Sequence, residues 1–386
     1  MRPRGCRGAL LPAALLVLLG AGPPPPPAPT PAPRALWVVR NTLASREETE
    51  RAVSDCARIG CTLLFLQVSG RWDAWFPSGV FPAGQGGPAN DDNLAHAIRL
   101  AHARGIRVHA WVNSLLAWSA DDAPRDPRHV FHTHPEWFLT GVDGRSIVRL
   151  SRRELDARRL EGYFLEPSLA PVRTELRRLV LELATRYELD GIHLDYIRFP
   201  SAAWGFHPQI RERYRAEAGV DPRELYTRER ELTAERGAQW LARARGAWLA
   251  WHRESISRLV RLIARDLETV RPGLELSAAV LANPASARDD FGQDWMAWLE
   301  EGTLDVAVPM VYRPSARGVL ELLDRIGAGG DPPGRVFAGV SLQFLEPAEI
   351  PPIEGLMGRS GADGLAIFSY NLLRGDARAL RLLEAR

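Results

Sequence analysis

The 386-residue chain contains no lysine, so all 49 of its basic residues are arginine. Schiff-base catalysis, pyridoxal phosphate attachment and the phosphate-binding P-loop each need a lysine, and the sequence therefore excludes these classes of active site. The 47 acidic residues nearly balance the arginines, which leaves a formal net charge of +2. No basic run is suited to a phosphate backbone, so we expect no nucleic-acid partner.

Cysteine is also scarce, with three residues in the whole chain. Cys6 falls in the N-terminal segment, whereas Cys56 and Cys61 flank the predicted end of a helix and the start of the next strand. Two buried thiols are favoured over a disulfide, because a short span across a helix end is poor geometry for that bond. Neither cysteine has the spacing of a metal ligand, and we expect neither a metal nor a cofactor.

The N-terminus predicts an export signal over residues 1–22. Three arginines precede an apolar run over residues 9–19, which is too short to span a membrane. Residues 23–33 are rich in proline and predict an extended linker. We therefore expect an exported protein, periplasmic or extracellular, that meets a membrane only if the signal segment stays uncleaved.

Residues 34–386 predict a single TIM barrel, (β/α)8, because short apolar runs alternate eight times with amphipathic helical stretches. A doubly wound open sheet is the alternative, but the first predicted strand is not followed by the glycine-rich turn of that fold. The predicted strands cover residues 35–40, 62–68, 106–112, 191–197, 274–280, 304–310, 336–342 and 364–370. Long insertions over 114–165 and 198–250, after the third and fourth strands, should build the cleft or a lid over it.

The fourth predicted strand carries the strongest candidate for catalysis. Side chains alternate along a strand, so His193 and Asp195 share one face while Ile192 and Leu194 share the other. The apolar pair suits the helix-covered outside of a barrel, which turns the polar pair inward with Asp195 nearer the catalytic end. Burying a carboxylate without a partner costs several kcal/mol. A catalytic or substrate-binding role for Asp195 is therefore favoured over a structural one.

Aromatic and polar side chains recur at the predicted C-terminal ends of the strands, which is the end that carries the active site in barrel enzymes. Any one aromatic residue is more simply explained by packing, but the recurrence predicts a carbohydrate groove in which rings stack on sugars and polar groups bind hydroxyls. The predicted substrate-binding residues are Gln67, Trp72, Trp111, Asn113, His193, Tyr196, Arg198, Asn283, Tyr312 and Tyr370.

Several motifs occur together and in a characteristic order: RALWVVR, FLQVSGRWDAWFPS, HAWVN, HPEW, DGIHLDYIRFP and PMVY. In this combination the chain resembles the glycosyl hydrolase-like 10 family of exported bacterial barrel proteins, over nearly everything from Arg34 onward. The resemblance implies a barrel that hydrolyses glycosidic bonds. Some members of the family are implicated in cleaving the glycan strands of peptidoglycan, so a polysaccharide, with peptidoglycan among the candidates, is the expected substrate.

Glycoside hydrolysis normally requires a pair of carboxylates. Gly191 and Asp195 have the spacing of the α-amylase nucleophile strand, whereas Ile197 stands where a chitinase-type strand carries its acid. The predicted catalytic residues are therefore Asp195 with Asp73 or Asp294 as its partner. Asp73 lies between two tryptophans, an apolar setting suited to a general acid.

Other partners for Asp195 are weaker candidates. Asp294 is more simply explained as a helix N-cap. Asp289 and Asp290, like Asp294, follow the fifth predicted strand. Glu166, which lies ahead of the third helix, is placed at the opposite end of the barrel.

Two other functions stay open. The chain could be a non-catalytic glycan-binding barrel that has lost its second acid. It could also be a metal-dependent hydrolase that uses the histidines between residues 129 and 134, or His193 with His109, although no HExxH pattern occurs.

Overall fold

The structure is a computed structural model that describes residues 32–88, 91–327, 332–357 and 360–384. The predicted export signal, and all of the predicted linker except residues 32 and 33, lie outside the described residues. Within them, no helix is both long enough and apolar enough to cross a membrane.

Eight parallel strands close into a barrel in the order β1-β2-β3-β6-β7-β8-β9-β10. This confirms the predicted (β/α)8 fold, and each of the eight predicted strands matches an observed one to within two residues at either end. The strands of the described residues are β1 (Arg34–Val38), β2 (Leu63–Ser69), β3 (Arg107–Asn113), β4 (Leu116–Trp118), β5 (Tyr163–Phe164), β6 (Gly191–Asp195), β7 (Glu275–Leu281), β8 (Val306–Met310), β9 (Arg335–Ser341) and β10 (Gly364–Phe368).

Helices cover the outside of the barrel and build the insertions. Those of the described residues are α1 (Arg46–Arg58), α2 (Asn93–His102), α3 (Val130–Thr133), α4 (Arg152–Ala157), α5 (Ala170–Arg186), α6 (Pro208–Ala218), α7 (Glu224–Thr227), α8 (Glu229–Arg236), α9 (Ala238–Val270), α10 (Pro284–Phe291), α11 (Trp295–Glu300), α12 (Ala316–Gly327), α13 (Ile350–Leu356), α14 (Tyr370–Leu373) and α15 (Ala377–Leu383).

Local sequence signals explain where the first helix begins and ends. The Ser45 hydroxyl accepts a hydrogen bond from the Glu48 backbone N–H at 3.4 Å, which satisfies one of the free donors at the start of α1. Gly60 follows the helix at a φ of +68°, a left-handed conformation that glycine adopts without strain. Cys56 and Cys61 flank this helix end as two buried, free thiols, so no disulfide forms between them.

The barrel has an inner and an outer apolar layer, as strand alternation predicts. Ile192 and Leu194 belong to the large core between the strands and the helices, whereas Trp37, Phe65 and Trp111 belong to a smaller cluster inside the barrel. Aromatic rings therefore make up much of this inner layer, which we call the floor of the cleft.

The first insertion contains a feature that the sequence did not predict. Strands β4 and β5 pair antiparallel beside the end of β3, and the Leu165 N–H donates to the Leu115 carbonyl at 2.9 Å. The second insertion is helical, as predicted, and it merges into α9, whose 33 residues extend from the insertion along the barrel wall. Both insertions follow C-terminal strand ends, so they stand on the catalytic side.

Candidate active site

Asp195 ends β6 at the C-terminal face of the barrel. It lies opposite Asn113 of β3, and its backbone carbonyl accepts a hydrogen bond from the Ser114 N–H at 2.7 Å. Its side chain is largely buried, and Oδ1 accepts a hydrogen bond from the Tyr196 N–H at 2.7 Å. Tyr196 holds a φ of +50°, which is uncommon for a residue with a side chain. The backbone turns sharply directly after the carboxylate and directs the chain away from it.

Burial raises the pKa of Asp195 from 3.8 to about 6. The Tyr196 N–H, the Arg198 guanidinium and the Trp111 indole each favour the charged form and oppose this rise, while the charge of Glu161 adds to it. An acid with a pKa near 6 changes its protonation state close to neutral pH, which is the condition that acid–base catalysis requires.

Partly buried aromatic rings lie beside Asp195. Burial, and then the neighbouring Asp195 charge, raise the pKa values of Tyr196 and Tyr312, which places both phenols close to the carboxylate. Tyr312 stacks with Phe344 at a centroid distance of 6.0 Å and an interplanar angle of 26°. Phe344 is 55% exposed, an unusual state for so large an apolar side chain. Together, Tyr312 and Phe344 form a platform on which a sugar ring could stack.

Glu161, which the sequence analysis did not single out, is the carboxylate that most affects Asp195. It lies just before β5, is exposed, and accepts a hydrogen bond from Arg198 Nη2 at 2.6 Å. Arg198 is only 6% exposed, and its guanidinium lies over the Tyr196 ring at 5.2 Å from the centroid. Arg198 therefore pairs with Glu161 while its charge favours the ionised form of Asp195, and it leaves little surface for the predicted contact with substrate.

Asp73, the first predicted partner of Asp195, shapes its own loop. Its Oδ1 accepts hydrogen bonds from the Gly70 N–H at 3.2 Å and the Arg71 N–H at 3.0 Å, and its Oδ2 accepts one from Trp75 Nε1 at 3.3 Å. These donors occupy both oxygens of a side chain that is 5% exposed. The side chain of Asp73 thus stabilises the conformation of the loop after β2.

Gln67 and Asn113 belong to a buried hydrogen-bond chain along the rim. Arg40 Nη1 donates to Gln67 Oε1 at 2.9 Å, Gln67 Nε2 donates to Asn113 Oδ1 at 3.2 Å, and Asn113 Nδ2 donates to the Gly70 carbonyl at 2.9 Å. This chain fixes the ends of the first three barrel strands relative to one another. Gln67 and Asn113 are therefore engaged in holding this part of the rim in place.

His193 lies inside the barrel with no exposed surface. Trp37 Nε1 donates to its Nε2 at 3.0 Å, so the single proton of the neutral ring sits on Nδ1, 2.9 Å from Ser277 Oγ. Phe65 stacks on the ring at a centroid distance of 4.0 Å, and burial lowers the pKa of His193 far below its usual value. His193 therefore offers no surface for the predicted contact with substrate, and it packs as a neutral ring inside the barrel.

Four other predicted site residues have partners elsewhere in the fold. Trp72 is 2% exposed and donates from Nε1 to the Ser114 carbonyl at 2.9 Å. Asn283 caps α10 through its Oδ1, and Asp294 pairs with Arg253 of α9 at 3.4 Å. Tyr370 is fully buried at the start of α14. Its hydroxyl donates to Asp55 of α1 at 3.1 Å, so it is part of the outer core.

The expected position of Glu166 was wrong. The residue lies between β3 and α5, and such a strand-to-helix connection is at the C-terminal end of the barrel, the same end as Asp195. Glu166 is fully buried, and burial raises its pKa from 4.5 to about 7.

The described residues contain no group of three histidine, cysteine, aspartate or glutamate side chains arranged to hold a metal ion. The histidines of the first insertion have other partners. His129 Nε2 donates to the Arg71 carbonyl at 2.6 Å, because its Nδ1 already accepts from the Phe131 N–H, and His132 Nε2 lies 2.7 Å from the Pro124 carbonyl. His134 pairs with Glu136 at 2.9 Å.

A closed parallel barrel with a buried carboxylate and aromatic rings at its C-terminal rim defines a TIM barrel of the glycoside-hydrolase type. The chain belongs to the glycosyl hydrolase-like 10 family, which matches residues 33–327. This confirms the family indicated by the sequence motifs.

Individual relatives are distant. Glycosyl hydrolase DigH of Escherichia coli (strain K12) is 23% identical over 331 residues, which cover 76% of this chain and 65% of that protein. Glycosyl hydrolase YngK of Bacillus subtilis (strain 168) is 20% identical over 307 residues, which cover 72% and 51%. The chain thus spans less than two thirds of either relative.

A solved structure supports the fold. The glycoside hydrolase domain of PgaB (BpsB) from Bordetella bronchiseptica matches with a TM-score of 0.63 and 14% identity, over 92% of this chain and 98% of that domain.

Proposed function

We propose that this protein hydrolyses O-glycosidic bonds in a polysaccharide, with Asp195 as its central catalytic carboxylate. The observation that carries the proposal is the setting of Asp195: a largely buried carboxyl group with a pKa of about 6, at the catalytic end of a barrel strand, beside the partly buried rings of Tyr196 and Tyr312. The ionised carboxylate supplies the negative charge that an oxocarbenium-like transition state requires.

We assign Glu161 as the second carboxylate. It is exposed towards solvent, it is the acid whose charge most affects Asp195, and Arg198 ties it to the same floor. Asp73 and Asp294 are less suitable, because one has both oxygens occupied by N–H donors and the other is paired with Arg253. A carbohydrate partner also accounts for the stacked and exposed Phe344.

The test is a hydrolysis assay on defined glycans, followed by mass spectrometry of the products, with single carboxamide variants. We expect Asp195→Asn and Glu161→Gln each to lose nearly all activity, and Asp294→Asn to retain it. If Asp294→Asn is inactive and Glu161→Gln is active, the partner of Asp195 is misassigned. If the wild-type protein binds glycans but releases no product from any of them, the non-catalytic barrel is the correct description.

Peptidoglycan glycan strands and an exported location are part of the same proposal. The family membership and the sequence of residues 1–22 motivate them. Fractionation of cells that express the full chain tests the location, and release of glycan fragments from purified sacculi tests the substrate. Recovery of the protein in the cytoplasm alone, or intact sacculi after incubation, would contradict them.

Arg198→Met should move the acidic limb of the activity profile to higher pH. Catalysis needs the ionised form of Asp195, so kcat/KM falls as the pH drops through about 6. Removing the guanidinium removes a charge that favours this ionised form, so we expect the limb to rise by about one pH unit. The measurement is kcat/KM against pH, with Arg325→Gln, an exposed position in the last turn of α12 at the opposite end of the barrel, as a matched charge control. An unchanged limb with a lower plateau would show that Arg198 acts only in packing.

A further inference from the structure

Two arginines stand at the catalytic rim without a carboxylate partner. In the part of the chain that the structure describes, neither Arg40, after β1, nor Arg71, after β2, forms an ion pair within 4 Å. The nearby acid Asp73 directs its oxygens to backbone and indole N–H groups. Both guanidiniums are therefore left without a paired anion among the described residues.

Each guanidinium is held in place. Arg40 Nη1 donates to Gln67, and the side chain packs so closely on Gly70 that a Cβ there would clash with it. Arg71 Nε donates to Ser119 Oγ at 3.1 Å, and its guanidinium lies over the Trp118 ring at 5.1 Å from the centroid. Such anchoring reduces the side-chain entropy that an arginine would lose on binding a ligand.

Most N–H groups of the two guanidiniums stay available. A guanidinium has five N–H donors, and each of these two uses one on another side chain of the described residues. The remaining guanidinium nitrogens are accessible to solvent, because none of them is a buried atom that lacks a hydrogen-bond partner in the described residues. The planar fork of a guanidinium matches the two oxygens of a carboxylate.

The local charge favours a singly charged ligand. Two arginines and Asp73 sum to one net positive charge, and His129, which closes the loop from the first insertion, is neutral because its Nδ1 accepts a backbone N–H. Burial lowers the pKa of Arg40, Asp73 opposes this effect, and the charge of Arg71 adds to it. A bound anion would relieve the repulsion between the two guanidiniums.

The arginine pair lies in the same cleft as Asp195 but not on it. Around the rim, β1 is separated from β6 by β2 and β3, which amounts to three strand spacings of about 4.8 Å each. The Tyr312–Phe344 platform stands on the opposite side of Asp195, after β8 and β9. An extended chain of sugars that crosses the cleft would meet all three.

We propose that Arg40 and Arg71 form a subsite for a carboxylate group carried by the glycan, so that the substrate is an acidic polysaccharide. This inference rests on the proposed function, because it assigns part of the substrate of that site. The carboxylate could belong to a hexuronic acid or to a lactyl ether on an amino sugar, and both present the same planar anion.

Calorimetric binding to the Asp195→Asn protein tests the subsite without hydrolysis. The probes are peptide-free glycan strands with lactyl carboxylates, the same strands after carboxyl reduction, and an oligo-hexuronate. We expect Arg40→Gln with Arg71→Gln to weaken binding of a carboxylated probe by about 10- to 100-fold. Affinity for the reduced strands should stay within about twofold, which also shows that the variant is folded. The two carboxylated probes distinguish the source of the anion.

Two controls sharpen the result. Arg325→Gln with Arg381→Gln removes an equal charge from exposed positions in the last turns of α12 and α15, at the opposite end of the barrel, and should leave all affinities unchanged. Arg40→Lys with Arg71→Lys keeps the charges but loses the fork, so an intermediate loss is expected. Equal affinity for carboxylated and reduced strands, or an equal loss of both in the double glutamine variant, would overturn the subsite. Arginine-dependent binding without hydrolysis of any glycan by the wild-type protein would support the subsite and refute the proposed hydrolase.

Discussion

Asp195→Asn should produce a protein that is inactive yet more stable than the wild type at neutral and alkaline pH. If Asp195 is the central carboxylate, its loss should lower kcat by at least about 10²- to 10⁴-fold, the range of a single acid–base group. The carboxamide keeps an oxygen that can accept the Tyr196 N–H. Local geometry is therefore conserved, and the change removes little besides the titrating charge.

The gain in stability follows from the direction of the pKa shift. Folding raises the pKa of Asp195 from 3.8 to about 6, so the folded state holds this proton more tightly than the unfolded state. The wild type therefore loses stability as the pH rises from about 4 through about 6, and the asparagine variant does not. The difference in the free energy of unfolding should reach on the order of 1 to 3 kcal/mol above pH 7.

Thermal unfolding of both proteins at pH 4 and pH 8 measures this difference. We expect nearly equal melting temperatures at pH 4 and a higher one for Asp195→Asn at pH 8. Asp294→Asn is the matched control, because Asp294 is held in an ion pair and its loss should not stabilise the protein. An Asp195→Asn variant that is less stable at both pH values would show that the charged form of Asp195 is satisfied in the fold.

The sequence predicted the barrel because strand periodicity and helix signals are local. Alternation along β6 placed His193 and Asp195 on one face, and the structure agrees, with His193 deeper in the barrel and Asp195 at its rim. Tyr370 was misplaced because β10 ends at Phe368, two residues before the predicted limit. The side chain then starts a helix and turns outward to Asp55.

Residues brought in by the insertions could not be found by periodicity. Glu161 lies near Asp195 only because β4 and β5 fold back beside β3, and no short sequence motif predicts that hairpin. Phe344 lies in a turn after β9 and differs from other large apolar residues in its exposure, which a sequence does not show. Glu166 is different, since chain order alone assigns a residue between a barrel strand and its following helix to the catalytic end.

Glu166→Gln should stabilise the protein at alkaline pH by on the order of 3 kcal/mol and have little effect near pH 4. Burial raises the pKa of Glu166 from 4.5 to about 7 in a position with no exposed surface. The unfolded chain therefore releases this proton at a lower pH than the folded protein does. The wild type loses stability as the pH rises from about 4.5 through about 7, while glutamine does not titrate.

The surroundings of Glu166 explain why its charge is poorly compensated. Its Oε1 accepts the Ser168 N–H at 3.1 Å, but its Oε2 has no hydrogen-bond partner among the described residues. Arg173 favours the charged form, yet it donates to the Pro167 carbonyl at 2.9 Å and forms no ion pair with Glu166 within the described residues. Glutamine preserves the accepting oxygen and removes the charge that the site does not neutralise.

Urea unfolding of wild type and Glu166→Gln at pH 4.5 and pH 8.5 gives the required free energies. Glu212→Gln, on the exposed face of α6, is the matched control and should change stability by less than about 0.5 kcal/mol at either pH. A destabilised Glu166→Gln protein at pH 8.5, or a difference that does not depend on pH, would mean that Arg173 moves to pair with the ionised Glu166. A pH-dependent gain would identify Glu166 as a carboxyl group that the fold keeps protonated up to about pH 7, beside the catalytic end of the barrel.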